Sequence, residues 1–210
     1  MRRCYLVRHG QTSWNRENRI QGHSDIPLDE IGLSQAQRVG AAFAEMPVRA
    51  LFTSWLARSQ QTAQAIAQAH PKTLEPVIER DLAEIHLGDW EGLTMETLEQ
   101  RFPRDFADWQ TFPSRVVIPN AEPLAAFKQR VRVAFASLSE RLPAGDSVVV
   151  AHGGVIAALL AEFLEADFDR LLRNLRLDNG GITAVEWLGG QPHVLWINSV
   201  RHLTAEGKSP

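Results

Sequence analysis

The sequence has little of three features that would assign a protein to a class at once. A single cysteine, Cys4, excludes an intrachain disulfide and the sulfur-rich zinc motifs, and its apolar surroundings predict a buried, inert thiol. The formal net charge is −3, whereas proteins that bind nucleic acids usually carry a basic field, so we expect no nucleic-acid partner.

Long apolar runs are also missing. None approaches the ~18 residues that a membrane-spanning helix requires. Near the start, only the four residues 4–7 are apolar before Arg8, which is too short for the apolar region of a signal peptide. We therefore expect a cytoplasmic protein with no membrane partner.

What the chain does contain is an alternation of strand and helix patterns. Short apolar runs bounded by turn residues predict strands at 4–7, 50–53 and 147–151, with a weaker candidate at 73–77. An apolar face of helical spacing begins at Pro123 and ends before Pro143, and another follows residue 154. Alternation of this kind favours a mostly parallel sheet covered by helices on both faces, an α/β/α arrangement in three layers.

The last part of the chain has a different pattern. Two β-rich runs between residues 180 and 198, separated by 188–192, predict an antiparallel hairpin at the edge of the sheet. A chain of 210 residues buries roughly 70–75% of its unfolded surface, enough for one domain. We predict a single domain over residues 1–203 and a C-terminal tail over 204–210.

Two of the predicted strands end in the same way. Arg8-His9-Gly10 follows the first strand, and His152-Gly153-Gly154 follows the strand at 147–151. Ligand crevices of open α/β sheets form at the carboxyl ends of the strands, and glycine lets the backbone approach a ligand closely. Because Ser54 and Arg58 follow the second strand, we expect two arginines and two histidines to meet at one sheet edge.

These residue types together predict chemistry on a phosphate ester. The planar forks of Arg8 and Arg58 suit phosphate oxygens, and a phosphate ester carries about −1.5 to −2 charge near pH 7. A histidine beside two cations has its pKa lowered, so it keeps a lone pair that can attack phosphorus and form a phosphohistidine. The second histidine would then donate to a phosphoryl oxygen, which stabilises the transferring group electrostatically.

The leaving alkoxide also needs a proton donor. Three carboxylates in the glycine-punctuated segment 81–92 are candidates, and the chemistry of the residues does not choose among Glu84, Asp89 and Glu91. Partial burial and a bound phosphate both favour the protonated form that a general acid requires.

A set of motifs in this order resembles the histidine phosphatase superfamily, the clan of the cofactor-dependent phosphoglycerate mutases and their phosphatase relatives. The match extends from residue 5 to about residue 165. The motifs that carry it are Leu6-Val7-Arg8-His9-Gly10-Gln11-Thr12-Ser13-Trp14-Asn15, Gln21-Gly22, Ser54-Trp55-Leu56-Ala57-Arg58 with Gln61-Thr62-Ala63, Glu84 with Gly88-Asp89-Trp90-Glu91-Gly92, and Ala151-His152-Gly153-Gly154.

The resemblance implies a phosphoglycerate mutase-like fold and a role for each matched residue. His9 would be the phosphorylated nucleophile, and Glu84 the proton donor. The resemblance also implies a set that holds the substrate and its phosphoryl group: Arg8, Asn15, Gln21, Gly22, Arg58, His152 and Gly153. It further implies catalysis with no metal and no cofactor, on a small-molecule phosphate ester. The oligomeric state stays open, with a homodimer as one candidate.

A phosphatase is favoured over a mutase because of what the chain lacks between Glu84 and His152. The mutases of this family have a longer segment there, with an adjacent arginine pair that grips a second anionic group. Here Arg101, Arg104 and Arg115 stand apart. The chain resembles the bacterial alpha-ribazole phosphatases and, equally, the broad-specificity bacterial phosphatases. It departs from the family at 120–123, where Asn-Ala-Glu-Pro replaces Gly-Gly-Glu-Ser.

Two other functions remain to be tested. A phosphate-binding protein without turnover would keep the same residues, and a metallo-phosphatase would use His9 and His152 as metal ligands. His23 and His86 lie beside the motif loops, where they are candidates for contact with a substrate.

Overall fold

A computed structural model describes residues 2–142 and 144–204 of the chain. Apart from Thr204, the predicted tail at 204–210 lies outside the described residues. A central sheet is formed by six strands: β1 (Arg2–Arg8), β2 (Val48–Thr53), β3 (Pro76–Ile78), β4 (Gly145–Ala151), β5 (Ile182–Leu188) and β6 (Gln191–Ser199). The weaker strand predicted at 73–77 therefore begins three residues later, at Pro76, and is short.

The strand order is β3-β2-β4-β1-β5-β6. The first four strands are parallel, β5 runs antiparallel to β1, and β6 pairs antiparallel with β5. The predicted mostly parallel sheet and the C-terminal edge hairpin are thus confirmed. In the register, Arg8 lies opposite Ala151 and Thr53 opposite Val150, so β1, β2 and β4 end side by side.

Eight α-helices surround the sheet in the described part of the chain: α1 (Ser13–Arg16), α2 (Glu30–Phe43), α3 (Ala57–Ala69), α4 (Met95–Arg101), α5 (Pro103–Thr111), α6 (Leu124–Arg141), α7 (Gly153–Phe163) and α8 (Phe168–Asn174). Pro123 precedes α6 as its N-cap residue, as the sequence predicts. Within the described ranges, no helix combines the length and the apolar character that a membrane crossing requires.

Alternate residues of β1 pack on opposite faces of the sheet, because successive side chains of a strand point to opposite sides. Tyr5 and Val7 join a cluster with residues of α2 and α3, including Phe43 and Ile66. Cys4 and Leu6 join the larger cluster, to which α6 and α7 contribute. Helices thus cover both faces and give the predicted three-layer α/β/α fold. Cys4 is fully buried, which raises the pKa of its thiol to about 12.

Candidate active site

The loops that follow β1, β2 and β4 bring the predicted site residues together. His9 lies just beyond β1, and its backbone N–H donates to the carbonyl of Ala151 at the end of β4, 3.1 Å away. His152 is the next residue after that strand. The ring centroids of His9 and His152 are 5.2 Å apart, so the two histidines, 143 positions apart in the sequence, are neighbours because their strands pair in parallel register.

His9 is held in one orientation by its own backbone surroundings. Its side chain is buried, with 3% of the residue exposed. Nδ1 lies 2.7 Å from the carbonyl oxygen of Gly10, which only accepts, so Nδ1 carries the proton and the neutral ring keeps its lone pair on Nε2. Burial, reinforced by the charges of Arg58 and Arg8, holds the pKa of His9 well below its usual value of 6.5. The sequence predicted the effect of the arginines, but burial is the larger cause.

His152 is fully buried and is oriented by Ser54. Its Nε2 lies 2.6 Å from Ser54 Oγ. When the serine hydroxyl donates to Nε2, the neutral ring carries its proton on Nδ1, the nitrogen with no hydrogen-bond partner in the protein. Burial, with the charge of Arg58 next in size, lowers the pKa of His152 well below its usual value.

Arg58 reaches the site from the first turn of α3. It is 1% exposed. Its Nη1 donates to the carbonyl of Ser24 and its Nη2 to the carbonyl of Gly22, each at a distance of 2.8 Å. Burial lowers the pKa of Arg58 to about 10, which leaves the guanidinium charged at neutral pH. Arg8 is held in a similar way, because its Nη1 donates to the carbonyl of Leu177.

Three buried nitrogens of the predicted site have no partner within the protein. They are Arg8 Nε, Arg58 Nε and His152 Nδ1, and Ser147 Oγ is the one other buried side-chain atom without a partner in the described chain. Buried donors are nearly always hydrogen-bonded, and each exception calls for a reason. Two cationic forks and an imidazole around His9 form a donor set that an anion satisfies.

Glu84 lies at the amino end of α7. Its Oε2 accepts a hydrogen bond from the backbone N–H of Gly154 at 3.1 Å, and its Oε1 one from its neighbour Ile85 at 3.1 Å. These two backbone N–H groups hold the Glu84 side chain in one place beside the first turn of α7. Glu84 lines a cavity of about 320 Å³ together with Arg8, His9 and Arg58.

The match to a family model covers residues 4–200 and decides the relationship. The chain belongs to the histidine phosphatase superfamily, branch 1. This confirms the predicted family and the predicted enzyme class, a phosphoric monoester hydrolase.

Three similar proteins illustrate the range of the superfamily. Phosphoglycerate mutase-like protein 4 of Arabidopsis thaliana is 38% identical over 73% of this chain and 67% of that protein. The structure of YhfR from Bacillus stearothermophilus superposes with a TM-score of 0.90 and is 32% identical, covering 97% of this chain and 100% of the other. The structure of a putative alpha-ribazole-5'-P phosphatase from Escherichia coli K-12 superposes with a TM-score of 0.84 and is 28% identical, covering 94% of this chain and 96% of the other.

The remaining predicted binding residues of this histidine phosphatase occupy different places. Asn15, Gln21 and Gly22 line the cavity beside His9. His152 and Gly153 are not among the residues that line it: His152 is fully buried, and a side chain added at Gly153 would contact Arg8. The Asn15 side-chain oxygen is already hydrogen-bonded to Thr12 and Asn179.

Among the three candidate acids, Asp89 and Glu91 have other partners. Asp89 is exposed and accepts from Asn120 at 2.9 Å. Glu91 accepts four hydrogen bonds: from the backbone N–H groups of His23, Ser24 and Leu87, and from the Ser24 hydroxyl. Burial raises the pKa of Glu91, but these hydrogen bonds outweigh it and hold the pKa below its usual value. This is opposite to the shift that a general acid requires.

Glu91 instead fixes the loop that holds Arg58, because Gly22 and Ser24 lie in that loop. We expect Glu91→Gln to lower the free energy of unfolding by about 1–3 kcal/mol at pH 7, since an amide N–H₂ would face donors that now have an acceptor. The ionised carboxylate stabilises the fold above its usual pKa of 4.5, and this contribution is lost as the pH falls through the lower folded value. Urea unfolding of both proteins at several pH values from 7 to 3 measures this contribution.

In that experiment, the stability difference between wild type and Glu91→Gln shrinks as the pH falls below about 4.5. The matched control is Glu140→Gln on exposed α6 surface, which we expect to change the free energy of unfolding by less than about 0.5 kcal/mol. A difference that stays constant across the whole pH range would contradict the role of Glu91.

Several residues that support the site were not found from the sequence. Asn179 donates to the carbonyls of His9 and Gly10, and the N–H of Gly180 donates to those of Arg8 and His9. Asp178-Asn179-Gly180-Gly181 is a turn signal, but nothing in the sequence shows that this turn packs against residues 8–10. It joins them because β5 pairs with β1.

The segment that departs from the family pattern has a structural role. Arg130 forms two hydrogen bonds with the Glu122 carboxylate, at 2.9 and 2.7 Å, and also donates to the carbonyls of Asp81 and Ala83. The N–H of Glu122 donates to the carbonyl of His86. Glu122 and Arg130 thus fix the backbone on both sides of Glu84.

His23 and His86 lie near Glu84 without lining the cavity beside His9. His23 Nε2 lies 2.7 Å from the carbonyl oxygen of Glu84, and the two imidazole centroids are 5.1 Å apart. Within residues 2–142 and 144–204, no group of three or more histidine, cysteine, aspartate or glutamate side chains is placed to hold a metal ion.

Proposed function

We propose that this chain is a metal-independent phosphomonoesterase that works through a phosphohistidine on His9. The observation that carries the proposal is that Arg8, Arg58 and His152 lie beside His9, and each has a buried nitrogen without a partner in the described chain. A phosphoryl group supplies the oxygens that would satisfy all three, and its charge of about −1.5 to −2 matches the two guanidinium groups.

The reaction proceeds in two displacements. In the first, the Nε2 lone pair of His9 forms a bond to phosphorus while the ester P–O bond breaks, and the protonated Glu84 gives its proton to the leaving oxygen. In the second, Glu84 takes a proton from water as that water attacks phosphorus. The P–N bond breaks, and its electron pair returns to His9. Arg8, Arg58 and His152 stabilise the charge on the phosphoryl oxygens in both steps.

The positions of three arginines outside the catalytic cavity favour hydrolysis over mutase activity. A phosphoglycerate mutase has to hold a substrate with a second anionic group, which needs a second cationic cluster. Arg101, Arg104 and Arg115 are exposed and none lines the catalytic cavity. Arg101 and Arg115 lie against the rings of Phe102 and Phe112 instead. The candidate substrates are a small phosphorylated metabolite such as alpha-ribazole phosphate, or a broad range of esters.

The test is phosphate release from p-nitrophenyl phosphate by protein stripped of metal and assayed with excess chelator. We expect the same kcat/KM with and without chelator. Activity that is lost in chelator and restored by a divalent cation would support the metallo-phosphatase instead. Thermal stabilisation by inorganic phosphate without any phosphate release would support a protein that binds phosphate without turnover.

A further inference from the structure

We propose that the organic part of the substrate is a bulky apolar group, alkyl or aromatic, that bears no second anionic group near the phosphate. This inference rests on the proposed function and specifies the substrate class of the same site. It is carried by two cavities that share apolar lining residues and by the pairing of the cations that line the first.

Four charged side chains line the catalytic cavity with His9: Arg8, Arg19, Arg58 and Glu84. Half of the lining residues are large and apolar, among them Ile20, Leu87, Met95, Trp109 and Leu172. The ester substituent of a phosphoryl group bound at His9 would therefore lie among mostly apolar side chains. A buried apolar surface gains affinity from an apolar ligand and loses it to a polar one that must be dehydrated.

Each cationic side chain that lines this cavity is either used by the phosphoryl group or already has a partner in the protein. Besides Arg8 and Arg58, which the phosphoryl group uses, the cavity is lined by one further arginine, Arg19. Its Nε donates to the carboxylate of Glu17 at 2.6 Å, and its Nη1 to the carbonyl of Gly92 at 2.8 Å. A carboxylate placed one or two carbons from the phosphate, as in phosphoserine, would compete with Glu17 for this arginine and otherwise face apolar side chains.

A second cavity of about 360 Å³ adjoins the first. Ile85, Leu87, Trp109 and Leu124 line both cavities. Each volume falls in the range of about 300–1,000 Å³ that is typical of small-molecule sites. An ester substituent longer than a few carbons thus has a second space next to the first, which is lined mostly by apolar side chains, with Glu122 and Lys128 among the others.

The outer wall of the second cavity is a strap, residues 113–123, that is fixed at both ends. Ser114 donates its N–H and hydroxyl to Asp169, and Glu122 pairs with Arg130. Between these anchors Val117 is 89% exposed, yet it lines the cavity. An occupant of this cavity would contact Val117 and cover part of its exposed side chain.

The experiment uses a series of n-alkyl phosphates: ethyl, butyl and hexyl. Their leaving alkoxides have nearly equal basicity, so differences in kcat/KM report how well the alkyl group binds. We expect kcat/KM to rise roughly threefold per methylene. We expect phosphoserine and 3-phosphoglycerate to react at least about 100-fold more slowly than hexyl phosphate. If phosphoserine and 3-phosphoglycerate, which both carry a carboxylate, reacted with kcat/KM values as high as those of the longer alkyl phosphates, the charge argument would be contradicted.

Two variants test the two cavities. Trp109→Ala should reduce the ratio of kcat/KM for hexyl and ethyl phosphate about tenfold, while Trp196→Ala, an exposed tryptophan on β6, should leave the ratio unchanged. Val117→Asp changes an exposed side chain that the fold does not need, and it should lower kcat/KM for hexyl phosphate more than for ethyl phosphate.

The outcomes separate this inference from the proposed function. An enzyme that hydrolyses the series with a flat profile, or that prefers phosphoserine or 3-phosphoglycerate, overturns the apolar substrate class and leaves the phosphatase intact. A ratio that Trp109→Ala and Val117→Asp both leave unchanged also overturns it. A protein that hydrolyses none of the esters overturns the proposed function itself.

Discussion

Replacing His9 by alanine is expected to abolish hydrolysis of p-nitrophenyl phosphate, lowering kcat by at least about 10⁴-fold, as removal of a covalent nucleophile does in other enzymes. The physical reason is that His9 Nε2 carries the attacking lone pair, and no other residue of the site replaces it beside Arg8, Arg58 and His152. Alanine keeps the backbone hydrogen bonds of residue 9 to Ala151 and Asn179. The fold should therefore persist, which circular dichroism and urea unfolding check.

The matched control is His193→Ala, which removes an exposed imidazole from the edge strand β6. We expect that variant to retain wild-type kcat and KM. Turnover within about tenfold of wild type by a folded His9→Ala protein would be incompatible with covalent catalysis at this residue.

Arg58→Ala is expected to lower kcat/KM roughly 10³-fold, because a preorganised guanidinium in a buried site stabilises the transferring phosphoryl group. The same change leaves the carbonyls of Gly22 and Ser24 without their donor, so we also expect a loss of about 1–3 kcal/mol in the free energy of unfolding. Arg58→Lys keeps the charge but not the fork, and it should fall between wild type and Arg58→Ala in kcat/KM.

Binding separates the catalytic role of Arg58 from its structural one. Inorganic phosphate should raise the melting temperature of wild type and of Arg170→Ala, which removes an exposed arginine of α8, but not that of Arg58→Ala. If folded Arg58→Ala is stabilised by phosphate as much as wild type is, Arg58 does not hold the anion.

The geometry around the two histidines could be predicted because it follows from local patterns. Each histidine follows a short apolar strand and precedes a glycine, and strands of that kind in an α/β chain are parallel and end at one edge. The register of β1 against β4 then makes His9 and His152 neighbours. Arg58 follows by the same reasoning from β2.

The choice of the acid could not be made from the residues alone. Glu84, Asp89 and Glu91 share one loop, and what separates them are partners far away in the sequence. Gly154 donates to Glu84, Asn120 to Asp89, and His23 and Ser24 to Glu91. The family resemblance indicated Glu84, and only the fold shows that Glu91 is a fixed acceptor for a loop.

The apolar side of the site was also not predictable. Its walls come from α5, the 113–123 strap and α8, where the sequence shows amphipathic helices and exposed arginines but no sign that they enclose a cavity. Asn179 and Gly180 support His9 from a turn about 170 residues away, a contact that depends on the antiparallel pairing of β5 with β1.

The central claim is a covalent phosphohistidine on His9. The most direct measurement is to mix the protein with a ³²P-labelled ester, quench the reaction during turnover, and map the labelled residue by mass spectrometry. The account predicts acid-labile, alkali-stable phosphate on His9 in wild type and none in His9→Ala. Label on another residue, or rapid turnover with no phosphoenzyme formed at any time after mixing, would contradict it.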